Sequence, residues 1–93
     1  MSVLPRASGR AVVKALVKIG YAQDRQRGSH IILRQVTYPH RRIVVPDYRE
    51  VSKGTLKTII RQAGLTVEEF KALLWGDSLF DAAPDNGLQP DPQ

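Results

Sequence analysis

The chain has 93 residues, with 14 lysines and arginines, nine acidic residues and no cysteine. This length provides one small domain with a modest core, and the lack of cysteine excludes disulfides and thiolate metal sites. No stretch approaches the ~18 apolar residues of a membrane span, and the N-terminus lacks the apolar segment of a signal peptide. We therefore expect a cytoplasmic protein that does not bind membranes.

The positive charge is concentrated in the first two thirds of the chain. Residues 1–61 contain 13 lysines and arginines against three acidic residues, a net charge of +10. Residues 62–93 contain one lysine against six acidic residues, a net charge of −5. A body this basic favours a polyanionic partner, which is either a nucleic acid or an acidic protein.

The first predicted element is a helix that follows Ser8 and ends near Ile19. Ser8 is a favourable N-cap and Gly20 is a favourable stop. Apolar residues at helical spacing form one buried stripe. The stripe consists of Val12, Val13, Leu16 and Val17. Basic residues four apart form a row along the same helix. The row consists of Arg10, Lys14 and Lys18, and Arg6 joins it if the helix starts before Ser8. We interpret the row as a solvated face, with a phosphate-binding row as the alternative.

Three antiparallel strands are predicted next. Residues 21–26 and 30–37 form a hairpin around a turn at residues 27–29. A loop at residues 38–41 leads to a third strand at 42–45, which Pro46 ends. Alternation along the second strand separates its side chains onto two faces. One face carries His30, Ile32 and Arg34, and the other carries Ile31, Leu33 and Gln35.

Two further helices and a tail complete the chain. Ser52 caps a helix at residues 53–63, which Gly64 ends, and Thr66 with Glu69 forms the capping box of a short third helix at 67–74. From Gly76 onward the chain is rich in proline, aspartate, glycine and asparagine, which is typical of disorder. We therefore expect a folded domain at residues 1–75 and a disordered acidic tail at residues 76–93.

The order of these elements predicts an α+β fold, α-β-β-β-α with a short C-terminal helix. Helices that cover one face of the three-stranded sheet leave the other face open. If Ile31 and Leu33 face the helices, His30 and Arg34 lie on the open face, and Arg42 of the third strand joins them. This arrangement places an imidazole among guanidinium groups on an accessible surface.

His30 is the main candidate for a catalytic residue. It follows Gly28 and Ser29 at the start of the second strand, and histidine transfers protons near neutral pH. Arginine binds phosphate oxygens bidentately, and RNA carries its own nucleophile, the 2′-hydroxyl. The residues therefore favour acid/base cleavage of RNA without a metal or other cofactor. An ordinary surface histidine is the alternative that local features leave open, and we interpret His40 as a loop residue.

The expected RNA-binding residues lie around His30 and along the neighbouring strands. They are Arg27, Gly28, Ser29, Arg34, Arg41 and Arg42, with Arg25, Lys14 and Lys18 as second choices.

Several segments, taken together and in order, resemble the HicA toxin family, small mRNA-cleaving toxins of bacterial toxin–antitoxin pairs. They cover about residues 7–74. The segments are Lys18-Ile19-Gly20-Tyr21, Arg27-Gly28-Ser29-His30, Ile43-Val44-Val45-Pro46, Lys53-Gly54-Thr55-Leu56, residues 59–66 and Glu68-Glu69-Phe70. The resemblance implies a fold like the double-stranded-RNA-binding domain and metal-independent endoribonuclease activity. It also implies neutralisation by a HicB-type antitoxin, which we expect to cover His30 and the basic surface.

The resemblance also bears on individual residues. His30 matches the catalytic histidine of the family, and Gly28 and Ser29 match its neighbours. Many relatives carry a second histidine two residues after the Val-Pro of the third strand, and this chain has Tyr48 there. The resemblance further implies that DNA is contacted only indirectly, through a toxin–antitoxin complex.

Two other functions compete with this interpretation. The first is an RNA-binding module of the same fold without catalysis, which the charge and fold fit equally well. The second is a helix-turn-helix DNA-binding protein built from residues 53–74. The proposed recognition helix begins with Glu68 and Glu69, whose carboxylates would repel DNA phosphates, so this function is disfavoured.

Overall fold

The computed structural model describes residues 3–82 of the chain. Its elements follow the predicted order and confirm an α+β fold compatible with the double-stranded-RNA-binding-domain arrangement. The elements are α1 (Gly9–Val17), β1 (Tyr21–Arg27), β2 (His30–Gln35), β3 (Arg42–Pro46), α2 (Lys53–Gln62) and α3 (Val67–Ala82). None of the helices in this part of the chain is long and apolar enough to cross a membrane.

The ends of α1 follow the local chemistry that the sequence predicts. The Ser8 hydroxyl accepts a hydrogen bond from the Ala11 amide at 3.1 Å, and Gly20 adopts a φ of +104°, which favours glycine. Of the four residues in the predicted stripe, Val12 and Leu16 are buried and Val13 is half-buried. Ala15 is buried, whereas Val17 is 49% exposed, because Ala15 lies closer to the line through Val12 and Leu16 on the helix surface.

The three strands form one antiparallel sheet in the order β1-β2-β3. In β2, Ile31 and Leu33 are buried, whereas His30 and Arg34 are exposed. The buried residues join the apolar side chains of the helices in one core. Its largest fully buried members are Phe70, Leu16, Leu33, Ile43, Leu56, Ile59, Val12 and Val45. The helices therefore cover one face of the sheet, and we call the uncovered side the open face.

A β-bulge at Asp24 changes the alternation of β1. Gln23 pairs with Leu33, but Arg25 pairs with Ile32, so Asp24 is the extra residue. Between the bulge and the turn the register is continuous, since Arg27 pairs with His30 and Arg25 pairs with Ile32. Arg25 and Arg27 consequently share the open face with Ile32 and His30.

α3 begins as predicted and ends later than predicted. The Thr66 amide donates to Glu69 Oε1 at 2.8 Å, and the Glu69 amide donates to the Thr66 hydroxyl at 3.1 Å. The helix continues to Ala82, past its expected end at residue 74. A single glycine costs a helix only about 1 kcal/mol, and the next proline is Pro84. The rest of the expected tail, residues 83–93, lies outside the described residues.

Candidate nucleic-acid interface

The open face consists of three rows of side chains that run across the sheet. Residues that pair directly across antiparallel strands have Cβ atoms roughly 5 Å apart and lie on the same face. The first row is Arg27–His30–Pro46, the second is Arg25–Ile32–Val44, and the third is Ala22–Arg34–Arg42. The sheet register therefore places His30 directly beside Arg27 and brings four arginines onto one surface.

The His30 side chain is exposed and has no hydrogen-bond or ion-pair partner within residues 3–82. It lies directly after a tight turn in which Gly28 has a φ of +58°, a backbone conformation that a glycine adopts without strain. Because the ring has no such partner in this part of the chain, both ring nitrogens are available to exchange a proton with a bound molecule, beside the positive charge of Arg27.

A hydrogen-bond network fastens the turn before His30 to the rest of the fold. Gln26 Nε2 donates to the Gly28 carbonyl at 3.0 Å and to Asp47 Oδ2 at 3.3 Å. Arg10 donates to both carboxylate oxygens of Asp47, each at 3.3 Å. The Asp47 amide donates to the Ser29 carbonyl at 2.6 Å. Asp47 thus connects the start of α1, the end of β1 and the turn.

Substitution of Asp47 by alanine should loosen this turn. Arg10 and Gln26 would lose their shared acceptor, and we expect a loss of about 1 kcal/mol in the free energy of unfolding. Amide hydrogen exchange at Gly28–His30 should also become faster. The matched control is Glu50→Ala, because the Glu50–Arg6 ion pair is long at 3.9 Å and largely exposed. Equal effects of the two substitutions would contradict the role of Asp47.

Two arginines face each other at the opposite end of the open face. Arg34 and Arg42 are direct cross-strand partners, and Arg42 Nε lies 3.8 Å from Asp24 Oδ2. Arg34 has no ion-pair partner among residues 3–82. This end of the sheet therefore carries two cations and one carboxylate.

Arg41 is separated from these arginines although it precedes Arg42 in the chain. Its carbonyl accepts from the Gln35 amide at 2.9 Å, and its amide donates to Gln35 Oε1 at 3.0 Å. This register places Arg41 opposite Gln35, on the helix-covered side of the sheet. Burial raises the pKa of the Tyr21 hydroxyl above its ordinary value, and the nearby Arg41 guanidinium opposes that rise.

His40 occupies the loop that the sequence predicts for it. It follows a cis Tyr38–Pro39 peptide bond and adopts a φ of +59°. Its Nδ1 lies 3.1 Å from the Gln35 carbonyl oxygen, and its ring meets the Tyr38 ring edge-on with centroids 6.4 Å apart. The two histidines therefore lie at opposite ends of β2 and do not form one site.

Three of the four basic residues at this spacing have partners within the protein, and Arg6 lies outside α1, which begins at Gly9. Arg10 binds Asp47, Lys18 Nζ donates to the Leu73 carbonyl at 2.6 Å, and Arg6 lies 3.9 Å from Glu50. These contacts favour the interpretation of the row as a solvated face with structural contacts over a phosphate-binding row. The main cationic surface is the open face.

The domain therefore has an α+β fold with a histidine and four arginines on the uncovered side of its sheet, a positively charged surface suited to a polyanion. The comparisons with known proteins are more specific. A family model described as "HicA toxin of bacterial toxin-antitoxin" matches residues 9–65, more than half of the chain. The chain therefore belongs to the HicA toxin family, whose members work with an antitoxin partner. The comparison with curated proteins gave no match.

The matched residues include the three strands, the His30 turn and the Asp47 network. The sequence predicts a role for His30 and the open-face arginines but none for Asp47. One signal was present, since Asp47 is one of three acidic residues among residues 1–61.

Proposed function

We propose that this HicA-family toxin is an endoribonuclease that cleaves mRNA without a metal or other cofactor, with His30 in acid/base catalysis. One observation carries the proposal: the exposed imidazole of His30 has no partner within residues 3–82 and lies in the same row as Arg27. An imidazole without a partner can donate or accept a proton. A neighbouring guanidinium can stabilise the negative charge that develops on the phosphate during the reaction.

The reaction follows from the chemistry of RNA. The 2′-oxygen forms a bond to the adjacent phosphorus while the bond from phosphorus to the 5′-oxygen breaks. One proton leaves the 2′-hydroxyl, and one proton is delivered to the departing 5′-oxygen. His30 performs one of these transfers, and water performs the other. The products carry a 2′,3′-cyclic phosphate and a 5′-hydroxyl group.

The remaining open-face residues would hold the RNA strand. Arg27, Arg34 and Arg42 supply positive charge, while Gly28 and Ser29 expose backbone next to His30. Arg25, a second choice from the sequence, joins them because it pairs with Ile32 on the same face. Arg41 was also expected to bind RNA, and its exposed side chain, near Tyr21, would contact a strand that extends past the edge of the sheet.

The partner that controls this activity is proposed to be a HicB-type antitoxin with an acidic surface. The open face combines arginines with apolar side chains, including Val44, which is 47% exposed. An acidic partner with apolar contacts would cover His30 and neutralise the surrounding charge in one interface. We propose that both proteins act in the cytoplasm, where mRNA is present, and that DNA is contacted only through their complex.

Two other functions are alternatives to the proposed ribonuclease activity. An RNA-binding module without catalysis would use the same surface. A helix-turn-helix function is less compatible with α3, because Phe70 is fully buried and the Glu69 carboxylate caps the helix. The first turn of α3 therefore offers carboxylates and a core residue where a recognition helix needs groups that approach DNA.

The proposal is tested with an RNA and a DNA oligonucleotide of the same sequence in excess EDTA. We expect the purified protein to cut the single-stranded RNA and leave the DNA intact, because DNA lacks the 2′-hydroxyl nucleophile. Salt-sensitive binding of RNA without cleavage would identify the binding module instead. Cleavage of both strands would contradict the proposed chemistry.

A further inference from the structure

We propose that the third row of the open face and the adjoining loop form a second RNA subsite, which binds a phosphate and a base at a fixed distance from the cleaved bond. Arg34 and Arg42 would bind the phosphate, and Tyr38 with His40 would bind the base. This inference rests on the proposed function for the position of the cleaved bond. Its own evidence is the geometry of the far end of the sheet.

The distance between the two sites follows from the strand. Arg34 is four residues from His30 on β2 and lies on the same face. At a rise of about 3.3 Å per residue, their Cα atoms are separated by roughly 13 Å. An extended single strand advances by roughly 5–7 Å per nucleotide, more than the ~3.4 Å per strand of B-DNA. The second phosphate would therefore lie about two nucleotides from the cleaved bond.

The charges in the third row favour an anion between the two arginines. Like charges directly opposite each other destabilise a sheet, and Arg34 and Arg42 are direct partners. Asp24 lies 3.8 Å from Arg42 and is itself partly exposed. It balances one of the two positive charges and leaves one unbalanced. A phosphate bound by both guanidinium groups would relieve the remaining repulsion and accept paired hydrogen bonds.

A groove continues from these charges to the loop at the end of β2. It is lined by Ala22, Gln23, Asp24, Arg34, Gln35, Val36 and His40. The aromatic ring of Tyr38, which is 88% exposed, stands beside His40. Single-stranded nucleic acids bind proteins through such combinations of a basic groove and an accessible aromatic ring on which a base stacks.

The His40 ring is positioned to distinguish bases. A carbonyl oxygen only accepts hydrogen bonds, so Nδ1 donates to the Gln35 carbonyl at 3.1 Å. In the neutral ring, Nε2 is then an acceptor. The backbone amide of His40 also donates to the Thr37 carbonyl at 2.8 Å, which fixes the loop. His40 Nε2 would accept a hydrogen bond from a base that presents an N–H group. This bond would give the subsite a preference among RNA sequences.

The subsite is tested by binding rather than by cleavage. The probes are 2′-O-methyl RNAs of two and eight nucleotides, which lack the nucleophile and stay intact. The test variant is Arg34→Gln/Arg42→Gln, and the control is Lys57→Gln/Arg61→Gln, which removes the same charge from exposed positions on α2. Both variants change exposed side chains only, and circular dichroism confirms that each is folded.

We expect the test variant to bind the longer RNA about tenfold more weakly. The slope of the logarithm of its binding constant against the logarithm of the salt concentration should decrease in magnitude by roughly one. Its binding of the dinucleotide should be unchanged, and the control should match the wild type. Tyr38→Ala should weaken binding of the longer RNA by about five- to a hundredfold, the range for loss of one stacked base.

The other outcomes separate the subsite from the proposed function. Equal losses in the test and control variants would show a diffuse charge effect and overturn the subsite. Unchanged binding of the longer RNA in the test variant would also overturn the subsite. If the selective loss occurs but the wild type cuts no ordinary RNA, the subsite is supported and the ribonuclease proposal fails.

Discussion

Substitution of His30 by alanine should abolish most RNA cleavage and leave the fold and RNA binding intact. A positioned acid or base contributes typically ~10²–10⁴-fold to the rate, so we expect a loss within that range. The side chain is exposed and makes no hydrogen bond or ion pair within residues 3–82. Its removal therefore leaves no buried group without a partner. Initial rates on single-stranded RNA, together with thermal unfolding, measure both effects.

The control for this substitution is Lys57→Ala, on α2 and away from the open face. It should cleave RNA at the wild-type rate. Full activity in His30→Ala would remove His30 from the mechanism. Unfolding of His30→Ala would instead identify a structural histidine, which its exposure in this fold does not predict.

Substitution of Gly9 by alanine should have the largest effect on stability among the changes considered. Gly9 opens α1 at the point where the helix meets the end of β3, and its amide donates to the Tyr48 carbonyl at 2.9 Å. An added Cβ would overlap the Pro46 carbonyl oxygen and lie 3.0 Å from the Asp47 Cα. All these atoms belong to the backbone, so one element must move. We expect a loss of about 1–3 kcal/mol in the free energy of unfolding.

The displacement should also reach the proposed active site. Asp47 donates its amide to the Ser29 carbonyl, so a shift of this segment would disturb the turn before His30. Urea unfolding gives the stability change. Gly54→Ala is the matched control, because its added Cβ would meet nothing within 4 Å. Gly54 lies in the first turn of α2, so the added methyl group should leave the free energy of unfolding unchanged or slightly increased. A destabilising effect of similar size at both glycines would contradict the close approach at Gly9.

The sequence predicts much of the fold because local chemistry determines the element boundaries. Ser8, Ser52 and Thr66 all act as helix N-caps through their side-chain oxygens. The open face was also predictable, since Ile31 and Leu33 alternate with polar residues and identify the side that must be buried. The order of the strands follows from their short connections.

The sequence does not reveal the bulge in β1. All residues of that strand after Tyr21 are exposed, so no apolar alternation marks the position where the register shifts. The bulge matters for the open face, because the extra residue, Asp24, lies 3.8 Å from Arg42. The sequence also does not reveal that Arg41 and Arg42 lie apart. Both are polar and exposed, so no apolar pattern marks the side of the sheet on which each lies.

The Asp47 network was hidden for a different reason. Asp47 binds Arg10 and Gln26, which are 37 and 21 residues away in the chain. Contacts over such separations depend on the assembled fold and leave no local pattern. The network explains how an exposed turn with two small residues holds His30 in one place. Proton transfer requires a fixed imidazole, but no local sequence pattern shows how this one is fixed.

The most direct test of the account is the end group of the RNA fragments. Wild-type protein and His30→Ala are incubated with single-stranded RNA in excess EDTA, and the new 3′ ends are analysed. The account predicts 2′,3′-cyclic phosphates from the wild type and almost no fragments from the variant. Fragments from both proteins at the same rate, or 3′-hydroxyl ends from the wild type, would contradict metal-independent cleavage centred on His30.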